Sequence, residues 1–210
     1  MKTILFSAAI GLLSATIFAA ETNSAPDPVE AKYTSAIEGR TADILKALAL
    51  TEADKTVKVH DAIIAQYRAL KAWHDENDTK LKASKADTNA VAQIRGSLKT
   101  IHDAYLARLA ESLTPEQVET VKDKMTYGKV QFTFAGYLAA YPNLAAEPKQ
   151  KVLALLKQAR EEAMDGGSAA EKTAVFTKCK GKINNYLSKQ GFHPEKAKAS
   201  AATTNSAPLQ

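Results

Sequence analysis

A histidine is followed directly by an aspartate at three places in the chain: His60-Asp61, His74-Asp75 and His102-Asp103. The fourth and last histidine is His193. Imidazole and carboxylate side chains exchange protons and hold metal ions near neutral pH, so these pairs are the first candidates for chemistry. The pairs alone do not name a reaction, and their value depends on the elements that position them.

Those elements are predicted to be helices. Most of the chain is rich in Ala, Leu, Lys and Glu, with apolar residues spaced three and four apart. The one strand-like stretch, residues 130–134, is too short and isolated to build a sheet, and we expect it to lead into a short helix. We therefore predict an all-α, single-domain bundle of six to seven helices, in which two long helices form an antiparallel hairpin. The predicted helices span residues 29–48, 52–84, 89–111, 115–126, 133–141, 147–164 and 169–189.

Cap signals mark several of the predicted helix starts. Thr51 and Thr114 each precede a helix, and Pro115 suits a first helical position. Ser168 and Glu171 have the spacing of a capping box, in which each side chain accepts a hydrogen bond from the other residue's backbone.

The chain is predicted to have four parts. Residues 1–20 combine a short positive start with an uncharged apolar run ending in small residues, which is the pattern of a signal peptide. We therefore expect a periplasmic or secreted protein with no transmembrane segment after cleavage; a retained anchor is the less favoured alternative. Residues 21–30 are predicted to be a linker, residues 31–194 the helical domain, and residues 195–210 a disordered tail.

Composition narrows the function only slightly. The 28 basic and 23 acidic residues give a formal net charge of +5, which weakly favours anionic partners. No nucleic-acid motif accompanies this charge, so we predict no nucleic-acid partner. Cys179 is the only cysteine, so an intrachain disulfide cannot form and we expect this residue to be a small buried one. The sequence leaves the oligomeric state open.

Helical phase separates the histidines from their aspartates. In the helix predicted at residues 52–84, His60 and His74 fall within the apolar stripe that contains Ile63 and Tyr67. The aspartates of those two pairs lie near the edge of the stripe or beyond it, and the third pair behaves in the same way on the next helix. We therefore predict that the histidines face the core and the aspartates face water.

Distance then removes one histidine. His60 and His74 are fourteen residues apart on one helix, or about 21 Å, so they cannot share a ligand. His74 and His102 lie equally far from the predicted turn at residues 87–89, so the hairpin sets them level across about 8–10 Å. We predict that these two histidines line one pocket. The alternative is two core histidines, each with one satisfied hydrogen bond.

A metal ion is not predicted. His74 and His102 would need a third ligand, and the candidates Asp75 and Asp78 have unfavourable helical phases. The spacing from His74 to Asp78 is too common in helices to indicate a site by itself. We accordingly predict no metal and no cofactor.

Other polar residues extend the predicted pocket: Lys122, Tyr127, Arg160, Asn184 and Asn185. Arginine grips a carboxylate through two parallel hydrogen bonds, and a tyrosine hydroxyl can serve as acid or base. The asparagines qualify because they and Gly181 are poor helix formers in one place, which predicts the close approach of a ligand or backbone. His74, His102 and Tyr127 are the catalytic candidates, and the other four side chains are predicted to bind the ligand. The alternative is that Lys122 and Arg160 only extend their charged ends to water.

Five motifs occur in an order that resembles a known family: Leu113-Thr-Pro-Glu-Gln-Val, Val121-Lys-Asp-Lys-Met-Thr-Tyr-Gly128, Pro142-Asn-Leu, Ala159-Arg-Glu-Glu-Ala-Met-Asp165 and Lys180-Gly-Lys-Ile-Asn-Asn-Tyr-Leu187. The family consists of exported bacterial proteins and is catalogued as the domain of unknown function numbered three-eight-two-six. The resemblance covers about residues 35–193 and implies a helical envelope protein, some of whose relatives accompany polysaccharide-degrading systems. It implies no catalytic residues. The chain departs from the family at Cys179, where an aromatic residue is expected, and at Ala145, where a threonine cap would fit.

Two function classes remain open from the sequence. The first is a protein that binds or acts on an anionic, uronate-type glycan or another small anionic ligand in a pocket lined by His, Lys and Arg; whether it is an enzyme stays undecided. The second is a non-enzymatic periplasmic chaperone or stress sensor, because residues 113–117 match the Leu-Thr-x-x-Gln signature of such proteins. A structural domain without a ligand is a third possibility.

Overall fold

A computed structural model describes residues 27–194, and all the regular structure in this range is helical. The seven helices are α1 (Pro28–Leu48), α2 (Ala53–Ala83), α3 (Thr88–Ala110), α4 (Pro115–Met125), α5 (Lys129–Ala140), α6 (Ala146–Met164) and α7 (Ala169–Lys189). The predicted all-α, single-domain class is confirmed. The largest boundary error is at α5, because the strand-like residues 130–134 are already helical.

The helix starts follow the predicted cap signals in part. At α4 the box is complete: the Gln117 amide donates to Thr114 Oγ1 at 3.3 Å, and the Thr114 amide donates to Gln117 Oε1 at 3.1 Å. At α7 only half of the box forms, since the Glu171 amide donates to the Ser168 hydroxyl but the Glu171 carboxylate accepts from a different amide. Thr51 is not a cap, because Glu52 occupies that position at α2 and makes no side-chain bond.

Two helical hairpins make up most of the bundle. The first pairs α2 with α3, and the second pairs α6 with α7. Helix α1 packs on α2 and α4, while α4 also contacts α6 and so joins the two hairpins. One apolar core lies among α1 to α4, includes Ile37, Ile63 and Leu109, and also contains Met164 at the end of α6. A second core lies among α5 to α7 and includes Leu156 and Ile183.

The ends of the chain are only partly described. The predicted signal peptide and tail lie outside the described residues. Helix α1 begins at Pro28 with Asp27 as its cap, one residue before the predicted start at residue 29, and it overlaps the end of the predicted linker at residues 21–30. Between residues 27 and 194 no helix is both long and apolar enough to cross a membrane. Cys179 is buried as predicted, with its thiol 3.3 Å from the Leu155 carbonyl oxygen.

Candidate functional site

His74 and His102 converge on one residue, Asp165, which ends α6. The Nε2 atom of His74 lies 2.7 Å from the Asp165 carbonyl oxygen, and the Nδ1 atom of His102 lies 2.8 Å from the Asp165 carboxylate. Both imidazoles are largely buried, with 13% and 12% of their side-chain surface exposed. The structure therefore brings together the two histidines that the hairpin argument paired.

Both histidines line a cleft of about 590 Å³ between the two hairpins, which we call the acidic cleft. Its carboxylates belong to Asp78, Asp103, Glu161, Glu162, Asp165 and Glu171, and its cations other than the histidines are Arg95 and Lys99. Apolar wall is provided by Trp73, Leu81, Leu98, Ala174 and Val175. Because carboxylates outnumber cations, this cleft attracts positive charge and disfavours an anionic ligand.

The carboxylates favour the protonated form of both imidazoles. For His102, the hydrogen bond to Asp165 raises the pKa above its ordinary value, outweighing burial, and Glu161 adds to the effect. For His74, burial lowers the pKa, but the bonds to the Asp165 carbonyl and the Asp78 carboxylate together raise it by more, so the net shift is upward. Each histidine therefore holds a proton more tightly in the fold than in the unfolded chain.

The three original His-Asp pairs behave differently from one another. Asp75 and Asp103 are ion-paired with lysines one helical turn away and do not contact their histidine neighbours, as phase predicted. His60 is an exception, because its Nδ1 atom lies 3.0 Å from the Asp61 carboxylate and its Nε2 atom lies 2.9 Å from Glu38. This first pair stays together on the surface, away from the acidic cleft.

Arg160 and Lys122 are already paired with protein carboxylates. The buried guanidinium of Arg160 donates to Asp123 at 2.6 Å and to Glu119 at 2.7 Å. Lys122 lies 2.9 Å from Glu161, which also pairs with Arg160. Burial lowers the pKa of Arg160, but the hydrogen bonds to Glu119 and Asp123 raise it by more, so the guanidinium stays charged. The network ties α4 to α6, and its donors are used within the protein.

The two asparagines lie on another part of the surface. Asn184 accepts a hydrogen bond from the Tyr137 hydroxyl at 2.8 Å, and both Asn184 and Asn185 are exposed on α7. Neither lines the acidic cleft. The expected close approach of another backbone at Gly181 is wrong, because no atom from outside its own helical turn lies within 4 Å of the position that a side chain there would occupy.

Tyr127 lines a second cleft, of about 280 Å³, on the other side of the α6–α7 loop. We call it the basic cleft, because its charged side chains are three cations and one carboxylate: Arg40, Lys71, Lys172 and Asp75. Tyr33 and Tyr67 complete its aromatic wall, and Ser168 and Ala169 bring the start of α7 to its edge. The only carboxylate is already ion-paired with one of the three cations.

Lys172 is the least expected residue of the basic cleft. Its side chain is buried, with 4% of the residue exposed, and its ammonium donates to the Met164 carbonyl oxygen at 3.1 Å. Within residues 27–194 it forms no ion pair. Burial lowers its pKa to about 8; Asp165 and Glu171 raise the pKa from a distance, while the Arg40 guanidinium lowers it. The basic cleft therefore holds two neighbouring positive charges, neither of which forms an ion pair among residues 27–194.

Two glycines let one loop separate the two clefts. A Cβ atom at Gly167 would lie 2.8 Å from the His74 ring, and one at Gly166 would lie 3.1 Å from Lys172 Cγ. The loop thus passes between the imidazole of one cleft and the lysine of the other. Only glycine allows this approach at Gly167 without displacing the ring.

A signal for Lys172 was present in the sequence and was missed. Lys172 lies four residues before Phe176, on the stripe that continues through Cys179 and Ile183, so helical phase alone places it inward. Asp165 follows α6 and Glu171 lies in the first turn of α7, so neither belongs to a periodic apolar stripe. Their roles depend on how the two hairpins meet.

Comparison with known families agrees with the motif resemblance. The family described as "Protein of unknown function (DUF3826)" matches residues 34–204. The chain belongs to this family. Among curated proteins, none matches the chain. The DUF3826 match confirms the resemblance at the level of a family whose function is unknown, and it assigns no role to either cleft.

Proposed function

We propose that the protein binds a small anionic ligand of the sugar-acid type in the basic cleft, as an exported protein of the periplasm or the cell exterior. The observation that carries this proposal is the unpaired, buried Lys172 beside Arg40. The anionic ligand is the one that the sequence favoured. The ligand-binding residues are different, since Tyr127 is the only predicted site residue that lines this cleft.

Charge gives the first support. Burying an ammonium without a carboxylate partner costs free energy, and a second cation nearby adds to that cost. Arg40 makes no ion pair in the described part of the chain; its guanidinium lies 6.0 Å from the centre of the Tyr67 ring. A ligand carboxylate between Arg40 and Lys172 would neutralise both, and the positive end of the α7 dipole would add to the attraction.

Size and surface chemistry give the second support. Ligand pockets commonly measure roughly 300–1,000 Å³, so a cleft of about 280 Å³ suits a small molecule. The rings of Tyr33, Tyr67 and Tyr127 offer flat apolar faces with hydroxyls at their ends. A sugar acid presents complementary groups, namely C–H faces, hydroxyls and one carboxylate.

The chaperone hypothesis gains no comparable support. Four large apolar side chains are exposed among the described residues: Val29, Val57, Tyr127 and Phe132. They are spread over α1, α2 and the junction of α4 with α5. A holdase needs a continuous exposed apolar surface, and scattered apolar residues of this kind are normal on any soluble domain.

Calorimetric and thermal-shift titrations with galacturonate, galactose and inorganic phosphate test the proposal. We expect galacturonate to bind and to raise the melting temperature, and neutral galactose to do neither. Stronger binding of phosphate than of galacturonate would keep the anion site but contradict the sugar-acid class. The variants Lys172→Met and Arg40→Gln should each weaken galacturonate binding by at least about 10-fold.

Arg108→Gln is the matched control, because it removes one positive charge from an exposed site outside both clefts. If Arg108→Gln weakened binding as much as Arg40→Gln, the effect would come from net charge and not from the basic cleft. Absence of binding by all three probes would contradict the proposal.

A further inference from the structure

Three potential metal ligands meet at one end of the acidic cleft. They are the Nδ1 atom of His74 and one carboxylate oxygen each of Asp78 and Glu171, and all three atoms lie within 4.8 Å of one another. From this geometry we infer a binding site for a divalent transition metal ion, independent of the ligand proposed for the basic cleft. This inference departs from the sequence prediction that no metal is bound.

The distances suit a four-coordinate ion. His74 Nδ1 is 2.9 Å from Asp78 Oδ1 and 3.9 Å from Glu171 Oε2. Zinc bonds of about 2.0–2.1 Å to nitrogen and oxygen place tetrahedral ligands about 3.3 Å apart, a value between these two. The two carboxylate oxygens lie within 4.8 Å of each other, so side-chain rotation has to bring them closer together around an ion.

The hydrogen bond at the far side of the ring fixes which imidazole nitrogen faces the carboxylates. A backbone carbonyl only accepts, so the Asp165 carbonyl requires a proton on His74 Nε2. When His74 carries a second proton, Nδ1 donates it to Asp78, 2.9 Å away. Without that proton, Nδ1 presents a lone pair to Asp78 and Glu171, which are themselves acceptors. A metal ion would take the place of that proton and bind all three atoms, so metal binding competes with protonation of His74. Histidine ligands typically donate their other ring N–H to a backbone carbonyl in this way.

The surroundings hold the ligands in place. Asp78 lies one helical turn from His74 on α2. Glu171 Oε2 accepts the Gly167 amide at 2.9 Å, and Gly167 itself packs against the His74 ring. Helix α2 and the start of α7 thus present the ligands from two sides on rigid backbone, which limits the entropy lost on metal binding.

The donor set indicates the class of ion. One imidazole and two carboxylates suit zinc, manganese or cobalt better than calcium, which prefers six to eight oxygen ligands. Three protein ligands leave a coordination position open, as in catalytic zinc sites, and all three ligand residues line the acidic cleft. Neighbouring carboxylates such as Glu162 and Asp165 increase the attraction for a cation.

His60 provides a matched internal control. It also contacts two carboxylates, but Asp61 lies at Nδ1 and Glu38 at Nε2, on opposite sides of the ring. These carboxylates therefore do not converge with one ring nitrogen on a single point. His60→Ala removes an imidazole that has similar partners and a different geometry.

The test is calorimetric titration of the full mature chain with zinc chloride, with calcium chloride for comparison. We expect one zinc ion per chain, and a loss of affinity of at least about 10-fold in Asp78→Asn and in Glu171→Gln. His74→Ala should abolish the site, whereas His60→Ala and Lys172→Met should leave it unchanged. Circular dichroism melting of each apo variant verifies that it is folded, and the two amide variants, which keep side-chain size, separate ligand loss from misfolding.

Two results would overturn the inference. One is the absence of stoichiometric zinc binding by the wild type. The other is zinc binding that Asp78→Asn and Glu171→Gln leave intact, which would mark adventitious surface binding. Lys172→Met separates the two proposals. It should lose galacturonate binding and keep zinc binding, so either proposal can fail while the other holds.

Discussion

Replacing Lys172 with methionine should stabilise the protein at neutral pH. Methionine has a similar length and is apolar, so it occupies the same space without a buried charge. Burial and the neighbouring Arg40 lower the pKa of Lys172 from an ordinary value of 10.5 to about 8. This difference corresponds to about 3 kcal/mol of free energy that the fold loses while the lysine is protonated.

Part of this gain is offset in the variant. The Met164 carbonyl oxygen loses the ammonium donor at 3.1 Å, which costs about 1 kcal/mol. We therefore expect Lys172→Met to raise the free energy of unfolding by about 2 kcal/mol at pH 7.

The pH dependence gives a sharper result than the magnitude. Between about pH 8 and 10.5 the unfolded chain keeps the lysine proton while the folded chain releases it, so this residue makes wild-type stability rise with pH. The advantage of the variant should shrink over this interval and change sign near its upper end. Urea denaturation of both proteins from pH 6.5 to pH 10.5 measures the difference between their free energies of unfolding. The contributions of the other titrating groups cancel in this difference. A variant that is less stable at pH 7, or a difference that does not change with pH, would refute the argument.

Three further predictions follow from particular contacts. Gly167→Ala should lower the free energy of unfolding by about 1–3 kcal/mol, because its Cβ would lie 2.8 Å from the packed His74 ring. Gly181→Ala, in open space on α7, should raise it by about 0.5–1 kcal/mol. Thermal denaturation compares the two variants, and equal effects would contradict the packing argument. Arg160→Met should destabilise the fold by about 2–3 kcal/mol in urea, since it leaves three partly exposed carboxylates without their buried partner, and a cost below about 1 kcal/mol would show that the network adds little. By NMR, the pKa of His102 should lie above its ordinary value and should fall in Asp165→Asn. Because folding raises this pKa, the contribution of His102 to stability is complete at low pH and is lost as the pH rises through the folded-state value. An unchanged pKa in the variant would contradict the bond to Asp165.

Local signals in the sequence predicted most of the fold. Apolar spacing and the complete cap at Thr114 located the helices, because these depend on residues close together in the chain. The predicted start of α5 is too late because four of the residues 130–134 are β-branched or aromatic, which favours strand on propensity alone. Gly128, with φ at 62°, begins the helix just before that stretch.

The sequence predicted which site residues come together only within one hairpin, where two residues equally far from the turn must lie opposite each other. His74 and His102 lie equally far from one turn, and the structure brings both to Asp165. The partners of Arg160 depend on the packing of α4 against α6, which no local pattern encodes. Lys172 could have been found from phase, but its isolation from carboxylates depends on the whole fold.

Proton uptake on ligand binding tests the central claim most directly. If a carboxylate binds beside Lys172, it should raise the lysine pKa from about 8, so binding at pH 8.5 should take up a substantial fraction of one proton. Titration of galacturonate into the protein in two buffers of different ionisation enthalpy measures this uptake. We predict uptake by the wild type, retained uptake in the Arg108→Gln control, and none in any residual binding by Lys172→Met. Galacturonate binding without proton uptake, or with the same uptake in Lys172→Met, would contradict a ligand in the basic cleft.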